Sequence, residues 1–115
     1  MIIYFDFDGT LVDVQYKYYA VYKSFVSRFS GTPLDRAEFW DLKRTRCGEA
    51  QIMSRSGLDR QPVSLFRDYI RDYIETSRYL KEDLLFPGVE NLLEQLSIHH
   101  RCRIISARRN DRRFL

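Results

Sequence analysis

Hydrophobic and polar positions follow two patterns along this chain. Residues 2–5 form a short apolar run of β-forming residues that stops at Asp6. Such a run predicts a strand buried on both faces within a parallel sheet. Arg103-Ile104-Ile105 is predicted as a second strand, with Ser106 at its carboxyl end.

Between these strands, apolar residues recur every three or four positions, which is the period of an amphipathic helix. Gly31 is placed to end the first helix, and Thr32-Pro33 to cap and begin the second. Val89, Leu92, Leu93 and Leu96 should face inward from the last helix. The predicted helices span about 14–30, 33–46, 48–56, 62–80 and 89–98.

This order of elements predicts an α/β fold. Two short apolar strands joined by long helical crossovers indicate parallel strands in one sheet. The four helices that precede the last one are more than one crossover needs, so some of them should form a separate lobe.

Composition adds few constraints. The chain has 115 residues, 44% of them hydrophobic and 30% charged, with a formal net charge of +3, which argues against disorder. Residues 101–115 hold six Arg and one Asp. No basic run is long enough for a nucleic-acid tail, so a solvated basic helix is favoured there.

The two cysteines, Cys47 and Cys102, cannot form a disulfide framework. Cys102 should be buried.

We expect a cytoplasmic protein without a membrane partner. The first predicted strand begins at residue 2, which leaves no room for a signal peptide. No apolar stretch approaches the ~20 residues that span a bilayer.

The end of the first strand carries the clearest candidate chemistry, Asp6-Phe7-Asp8-Gly9-Thr10. Ligands of open parallel sheets bind beyond the carboxyl ends of the strands. Strand alternation places Asp6 and Asp8 on the same side, where a cation would offset their repulsion. Oxygen ligands of this kind suit Mg²⁺. Taken alone, the two aspartates could equally be turn or capping residues.

Residues 6–13 (Asp-Phe-Asp-Gly-Thr-Leu-Val-Asp) resemble the first motif of the haloacid-dehalogenase-like hydrolases. The segment 104–108 resembles the second motif, a strand ending in Ser or Thr, and 86–89 resembles the return from cap to core. The helical insert at 14–81 resembles the cap of the phosphoglycolate-phosphatase-like branch. The resemblance therefore implies a Rossmann-like core from 1–13 and 82–115, with 14–81 as the cap.

The resemblance also implies roles for individual residues. Asp6 would be the nucleophile that forms an aspartyl-phosphate, and Asp8 the general acid and base. The Asp6 carboxylate and the Asp8 main-chain carbonyl would hold Mg²⁺. Thr10, the Ser106 hydroxyl and the Ala107 amide would bind the phosphoryl group.

Asp8 narrows the chemistry that the resemblance implies. An oxygen leaving group needs the proton of a second aspartate, whereas dehalogenases and phosphonatases of the family lack this residue. We therefore expect hydrolysis of a small phosphorylated metabolite. Phosphoryl transfer, as in the family's sugar mutases, and a non-catalytic truncated remnant are the alternatives.

The chain departs from the family pattern after Ser106. Only nine residues follow it, and they contain neither the basic third motif nor the acidic pair of the fourth. Arg108 or Arg109 could replace the missing cation only from a different element. We therefore expect these 115 residues alone to be an inactive or nearly inactive portion of the enzyme.

Basic and histidine residues elsewhere have simpler interpretations. Lys43, Arg44 and Arg46 could attract an anionic substrate, although a solvated helix face is favoured. His99-His100 fits a polar helix end better than a metal pair, because adjacent helical residues point in different directions.

Four tyrosines near the start of the first helix could line a substrate pocket. Helical spacing favours the interior of the cap for Tyr18 and Tyr22. Helical spacing does not decide between the cap interior and a substrate pocket for Tyr16 and Tyr19.

Overall fold

The structure is a computed structural model that describes residues 1–45 and 48–106. The elements in chain order are β1 (Ile2–Asp6), β2 (Val12–Asp13), α1 (Gln15–Arg28), α2 (Arg36–Lys43), α3 (Gly48–Arg55), α4 (Val63–Tyr73), α5 (Ser77–Leu80), β3 (Leu84–Leu85), α6 (Val89–Ser97) and β4 (Arg101–Ile105). None of the described helices is both long and apolar enough to cross a bilayer.

The chain divides into two compact units. Met1–Val14 and the chain from Asp83 onward make one, called here the strand unit, and Gln15–Glu82 makes the other, called here the helical unit. The strand unit holds every described strand together with α6, and the helical unit holds α1 to α5.

Two strand pairs build the strand unit. β1 and β4 are parallel, with Ile2 opposite Arg101 and Asp6 opposite Ile105. β2 and β3 are antiparallel, with Val12 opposite Leu85. The parallel pair confirms the predicted α/β class, whereas the two-residue strands β2 and β3 are too short to be detected from a hydrophobic pattern.

The strand unit is more exposed than the sequence predicts. Tyr4 of β1 is 61% exposed and Ile104 of β4 is 56% exposed, so the prediction of a strand buried on both faces is wrong. Exposed and half-buried residues alternate along β1, so one face of the strand is open within the described residues. Helices must pack on both faces to bury a parallel strand completely. Cys102 is half-buried rather than buried. Leu92, predicted to face inward, is 46% exposed.

An aromatic core holds the helical unit together. The ring of Tyr22 packs against Phe39 with centroids 4.4 Å apart, and Phe25 packs against Phe66 at 5.1 Å. Tyr22 is buried and Tyr18 packs against this core, which confirms the placement of both. Tyr19 also packs against the core, whereas Tyr16 is 38% exposed. The buried cluster comprises Tyr22, Phe25, Val26, Phe39, Ile52, Met53, Leu58 and Phe66.

Two predicted helix boundaries in the helical unit are wrong. α2 begins at Arg36, because the Asp35 carboxylate caps it by accepting a 2.9 Å hydrogen bond from the Glu38 amide. The helix predicted at 62–80 is divided into α4 and α5. Between them the Thr76 hydroxyl donates to the Tyr73 carbonyl at 2.7 Å, a local bond of the kind that competes with helical hydrogen bonding.

The end of α1 differs from the predicted glycine cap. Ser30, not Gly31, adopts the left-handed conformation, with φ of 56°. The amides of Ser30 and Gly31 donate back to the carbonyls of Ser27 and Val26 at 3.3 and 3.0 Å, the pattern of a Schellman motif. Gly31 is needed for another reason: a Cβ atom there would lie 2.5 Å from the Ser56 carbonyl oxygen.

Candidate active site

Asp6 ends β1, where the strand passes into a tight loop. The amide of Phe7 donates to the Ile105 carbonyl at 3.2 Å and to the Asp6 carboxylate at 3.0 Å. The first bond extends the β1–β4 pairing by one residue. The second orients the Asp6 side chain, which is exposed. The carboxylate is therefore held at the sheet edge and is open to a ligand.

The loop after Asp6 is organised around one carbonyl group. The Phe7 oxygen accepts hydrogen bonds from the amides of Leu11 at 3.0 Å and Val12 at 3.1 Å. The Gly9 amide donates to the Val12 carbonyl at 2.9 Å, and Gly9 has a φ of +79°. Because L side chains rarely tolerate that conformation, glycine permits the turn.

The same loop is anchored in the interior of the strand unit. Leu11 and Val12 are each only 3% exposed, and the Phe86 amide donates to the Leu11 carbonyl at 3.0 Å. Asp8 and Val12 form an isolated bridge, so Asp8 lies within this hydrogen-bonded turn and is half-buried. Thr10 lies on the exposed side of the turn.

Ser106 follows directly after β4 and is half-buried. Since Ile105 lies opposite Asp6 in the parallel pair, Asp6 and Ser106 occur at the carboxyl ends of neighbouring strands. This is the edge at which open parallel sheets bind ligands. Ala107, Arg108 and Arg109 lie outside the described residues.

The oxygen donors at this edge fit a hard divalent cation. Asp6 and Asp8 supply carboxylates on either side of Phe7, and Mg²⁺ is commonly bound by one or two carboxylates while it keeps several waters. Among the described residues, no group of three or more His, Cys, Asp or Glu could hold a metal ion. From the described residues, such a cation could take carboxylate oxygens of Asp6 and Asp8, with main-chain oxygens and water as further ligands.

Lys43 and Arg44, which could attract an anionic substrate, differ in their surroundings. Lys43 is half-buried, with its ammonium group 4.0 Å from a Glu49 oxygen and 5.3 Å from the Tyr18 ring centroid. This placement does not fit the solvated face predicted for it. Arg44 is exposed, and Arg46 lies outside the described residues.

One buried cation of the helical unit was not predicted from the sequence. Lys17 in α1 is only 2% exposed, and its ammonium group lies 5.9 Å from the Tyr18 ring centroid. The sequence gives no signal that this lysine is buried, because lysine is usually exposed.

His99 and His100 lie between α6 and β4, at the end of the strand unit opposite to Asp6. The amides of His99 and His100 both donate to the Leu96 carbonyl, at 3.3 and 2.9 Å, and so close the C-terminal end of α6. These bonds place both residues at the helix end, as favoured from the sequence. Within the described part of the chain they belong to no group of three or more His, Cys, Asp or Glu that could hold a metal ion.

Comparisons with known proteins point to one family. Residues 3–113 match the haloacid dehalogenase-like hydrolases. The fold is similar to that of a candidate phosphoglycolate phosphatase from Lactobacillus plantarum, with a TM-score of 0.57 and 25% sequence identity. The similarity covers 96% of this chain and 51% of that protein, so the chain spans about half of the solved structure's length. No curated protein sequence matches significantly.

Proposed function

The chain belongs to the haloacid dehalogenase-like hydrolases, and we propose that the whole protein is a Mg²⁺-dependent phosphatase of small phosphomonoesters. The observation that carries this proposal is the parallel pairing of β1 with β4, which brings Asp6 and Ser106 to one sheet edge. The similarity to a candidate phosphoglycolate phosphatase supports the same reaction class. A cytoplasmic location is part of the proposal.

In the proposed reaction Asp6 attacks the phosphorus atom and forms an aspartyl-phosphate. Asp8 first gives its proton to the leaving alkoxide and then, as a carboxylate, takes a proton from the water that hydrolyses the intermediate. The hydrogen bond from the Phe7 amide fixes the Asp6 carboxylate before attack. Holding the nucleophile in an attacking geometry lowers the entropic part of the barrier.

The phosphoryl oxygens need donors at the same edge. The Ser106 hydroxyl would donate to one of them from the end of β4, and Thr10 and the Ala107 amide are the other proposed donors. Asp6 and the main-chain carbonyl of Asp8 would hold Mg²⁺, which supplies positive charge against the phosphate and the nucleophile.

We propose that the helical unit acts as a cap that selects the substrate. Active-site lids of this kind exclude water and complete the site. In a version that spans the whole family fold, replacing residues 14–81 by a Gly/Ser linker should retain weak activity on aryl phosphates. Discrimination among phosphorylated metabolites that survived the replacement would contradict this role.

The 115-residue chain alone should hydrolyse aryl phosphates at little above background. The nine residues after Ser106 contain neither the basic third motif nor the acidic pair of the fourth, and loss of one preorganised electrostatic group typically costs about 10²–10³ in rate. Purified chain, Mg²⁺ and p-nitrophenyl phosphate, with Asp6→Asn as the blank, make the assay. Clear turnover above that blank would make Arg108 and Arg109 the next residues to substitute.

The proposal is tested by two aspartate substitutions in the full-length version. Asp6→Asn should abolish turnover of p-nitrophenyl phosphate, because an amide can neither attack phosphorus nor neutralise Mg²⁺. Asp8→Asn should leave the first step possible with a good leaving group and slow the second. Asp59→Asn, at an exposed position of the helical unit, is the matched control. Retention of more than a few per cent of activity by Asp6→Asn would refute the proposal.

A further inference from the structure

Two adjoining surface cavities of the helical unit lie among α1, α4 and α5. Their volumes are about 590 and 460 Å³, and Ser24, Arg28 and Arg78 line both of them. Together they form one groove, called here the basic groove. Its remaining lining residues are Ala20, Lys23, Ser27, Tyr69, Tyr73, Thr76 and Tyr79.

The charge of this groove is uniformly positive. Lys23, Arg28 and Arg78 line it without any acidic residue, and the sequence of α1 contains no Asp or Glu. Over residues 1–45 and 48–106, none of these three cations forms an ion pair with a carboxylate. A cluster of like charges with no internal counter-charge favours binding of an anion.

Two carboxylates of α4 border a neighbouring cavity that Arg28 also lines, but another residue pairs with them. Asp68 and Asp72 lie 3.1 and 3.4 Å from the guanidinium group of Arg71. Arg28 instead lies over the ring of Tyr69. Within the described residues, Arg28 therefore forms no ion pair with Asp68 or Asp72.

Aromatic rings position all three cations of the groove. The guanidinium carbons of Arg28 and Arg78 lie 5.6 and 5.2 Å from the ring centroids of Tyr69 and Tyr79. The ammonium group of Lys23 lies 5.6 Å from the Tyr19 ring. An arginine that lies over the face of a ring keeps N–H groups available for an oxyanion.

Hydroxyl groups add neutral donors beside these charges. The hydroxyls of Ser24 and Tyr69 share a hydrogen bond of 2.8 Å, so either can turn a proton toward a ligand. Ser27 and Thr76 supply two more hydroxyl groups. Cations that alternate with hydroxyl donors are the chemistry that binds phosphate oxygens.

We propose that the basic groove binds a small phosphate-bearing anion, at a site distinct from the Asp6 edge. Cavities of 590 and 460 Å³ are within the range of small-molecule sites. Three cations suit an anion with more than one negative charge, such as an organic diphosphate. The proposal does not depend on catalysis, because every residue of the groove is in the helical unit.

The test is a titration of the isotopically labelled 115-residue chain with pyrophosphate, in EDTA and at fixed ionic strength, followed by amide NMR shifts. Shifts should concentrate at 23–28 and 76–79. The double variant Arg28→Gln/Arg78→Gln should bind about tenfold or more weakly, because hydrogen bonds to charged groups are the strong ones. The control is Arg55→Gln, whose guanidinium group pairs with Glu38 at 2.8 Å.

Each outcome decides for or against the groove. Localised shifts together with weaker binding by the double variant, but not by Arg55→Gln, support it. Equal affinity of the double variant and the control would overturn it, and so would shifts centred on Asp8 and Ser106. A hexaglutamate peptide should bind more weakly than pyrophosphate; tighter binding would indicate an acidic polypeptide and overturn the assignment to phosphate.

Discussion

The two units of this chain differ in how well each covers its own apolar residues. All eight residues of the buried hydrophobic cluster belong to the helical unit. Of the twelve large hydrophobic residues exposed among the described ones, nine belong to the strand unit. They are Met1, Ile2, Tyr4, Leu84, Leu85, Leu92, Ile98, Ile104 and Ile105.

The unit with the buried hydrophobic core is therefore not the unit that carries the candidate catalytic residues. In the helical unit, residues from four helices, α1 to α4, pack together in the core. The strand unit carries Asp6, Asp8 and Ser106, yet its parallel sheet has two strands in the described part of the chain. Parallel sheets are normally covered on both faces, so we expect the strand unit to depend on additional polypeptide far more than the helical unit does.

The largest effect on stability should come from the centre of the helical unit. Phe66 is fully buried, at 0% exposure, against Tyr22 and Phe25. Phe66→Ala should lower the free energy of unfolding by about 3–5 kcal/mol, since it leaves a cavity. Urea denaturation measures the loss. The neighbouring Leu65, at 38% exposure, is the control, and Leu65→Ala should cost clearly less; equal losses would contradict the packing described.

A smaller loss is expected where two backbone segments of the helical unit meet. Gly31→Ala places a methyl group 2.5 Å from the Ser56 carbonyl and 2.9 Å from a Val26 methyl. Overpacking of this kind typically costs about 1–3 kcal/mol. At Gly57 an added Cβ would meet nothing within 4 Å, so the cost of Gly57→Ala should come only from its positive φ. A midpoint of unfolding unchanged by Gly31→Ala would show that the close approach is absent.

The smallest effect is expected on the exposed face of the strand unit. Ile98 is 73% exposed, and Ile98→Ser should change the free energy of unfolding by no more than about 0.5 kcal/mol, as at other surface positions. The variant should also bind less of a dye specific for apolar surface. A destabilisation like that of a core residue would show that Ile98 is covered in solution, and the contrast between the units would then be weaker.

Long periodic segments could be predicted from the sequence, because burial of an apolar stripe determines them. α1, α3 and α6 begin and end close to the predicted positions, whereas local side-chain bonds of Asp35 and Thr76 moved two boundaries. Those bonds depend on single residues that a periodic pattern does not register. β2 and β3, with two residues each, are defined by pairing between distant segments.

The candidate site was predicted in part. The positions of Asp6 and Ser106 at strand ends follow from apolar runs that stop at a polar residue. The Phe7 carbonyl that organises the loop and the burial of Lys17 could not be predicted, because both depend on tertiary contacts. The exposure of β1 was not predicted for the same reason. An apolar run indicates that a strand prefers to be buried, but it does not show whether other elements pack on both faces of that strand.

The most direct test of the central claim is to find the phosphoryl group on Asp6. A full-length version carrying Asp8→Asn, mixed with Mg²⁺ and p-nitrophenyl phosphate and quenched in acid, should hold one phosphoryl group on the peptide that contains Asp6. Slow hydrolysis without the Asp8 base should let this intermediate accumulate, and the further change Asp6→Asn should remove it. A phosphoryl group on another residue, or turnover by Asp8→Asn with no covalent intermediate at any time point, would contradict the account.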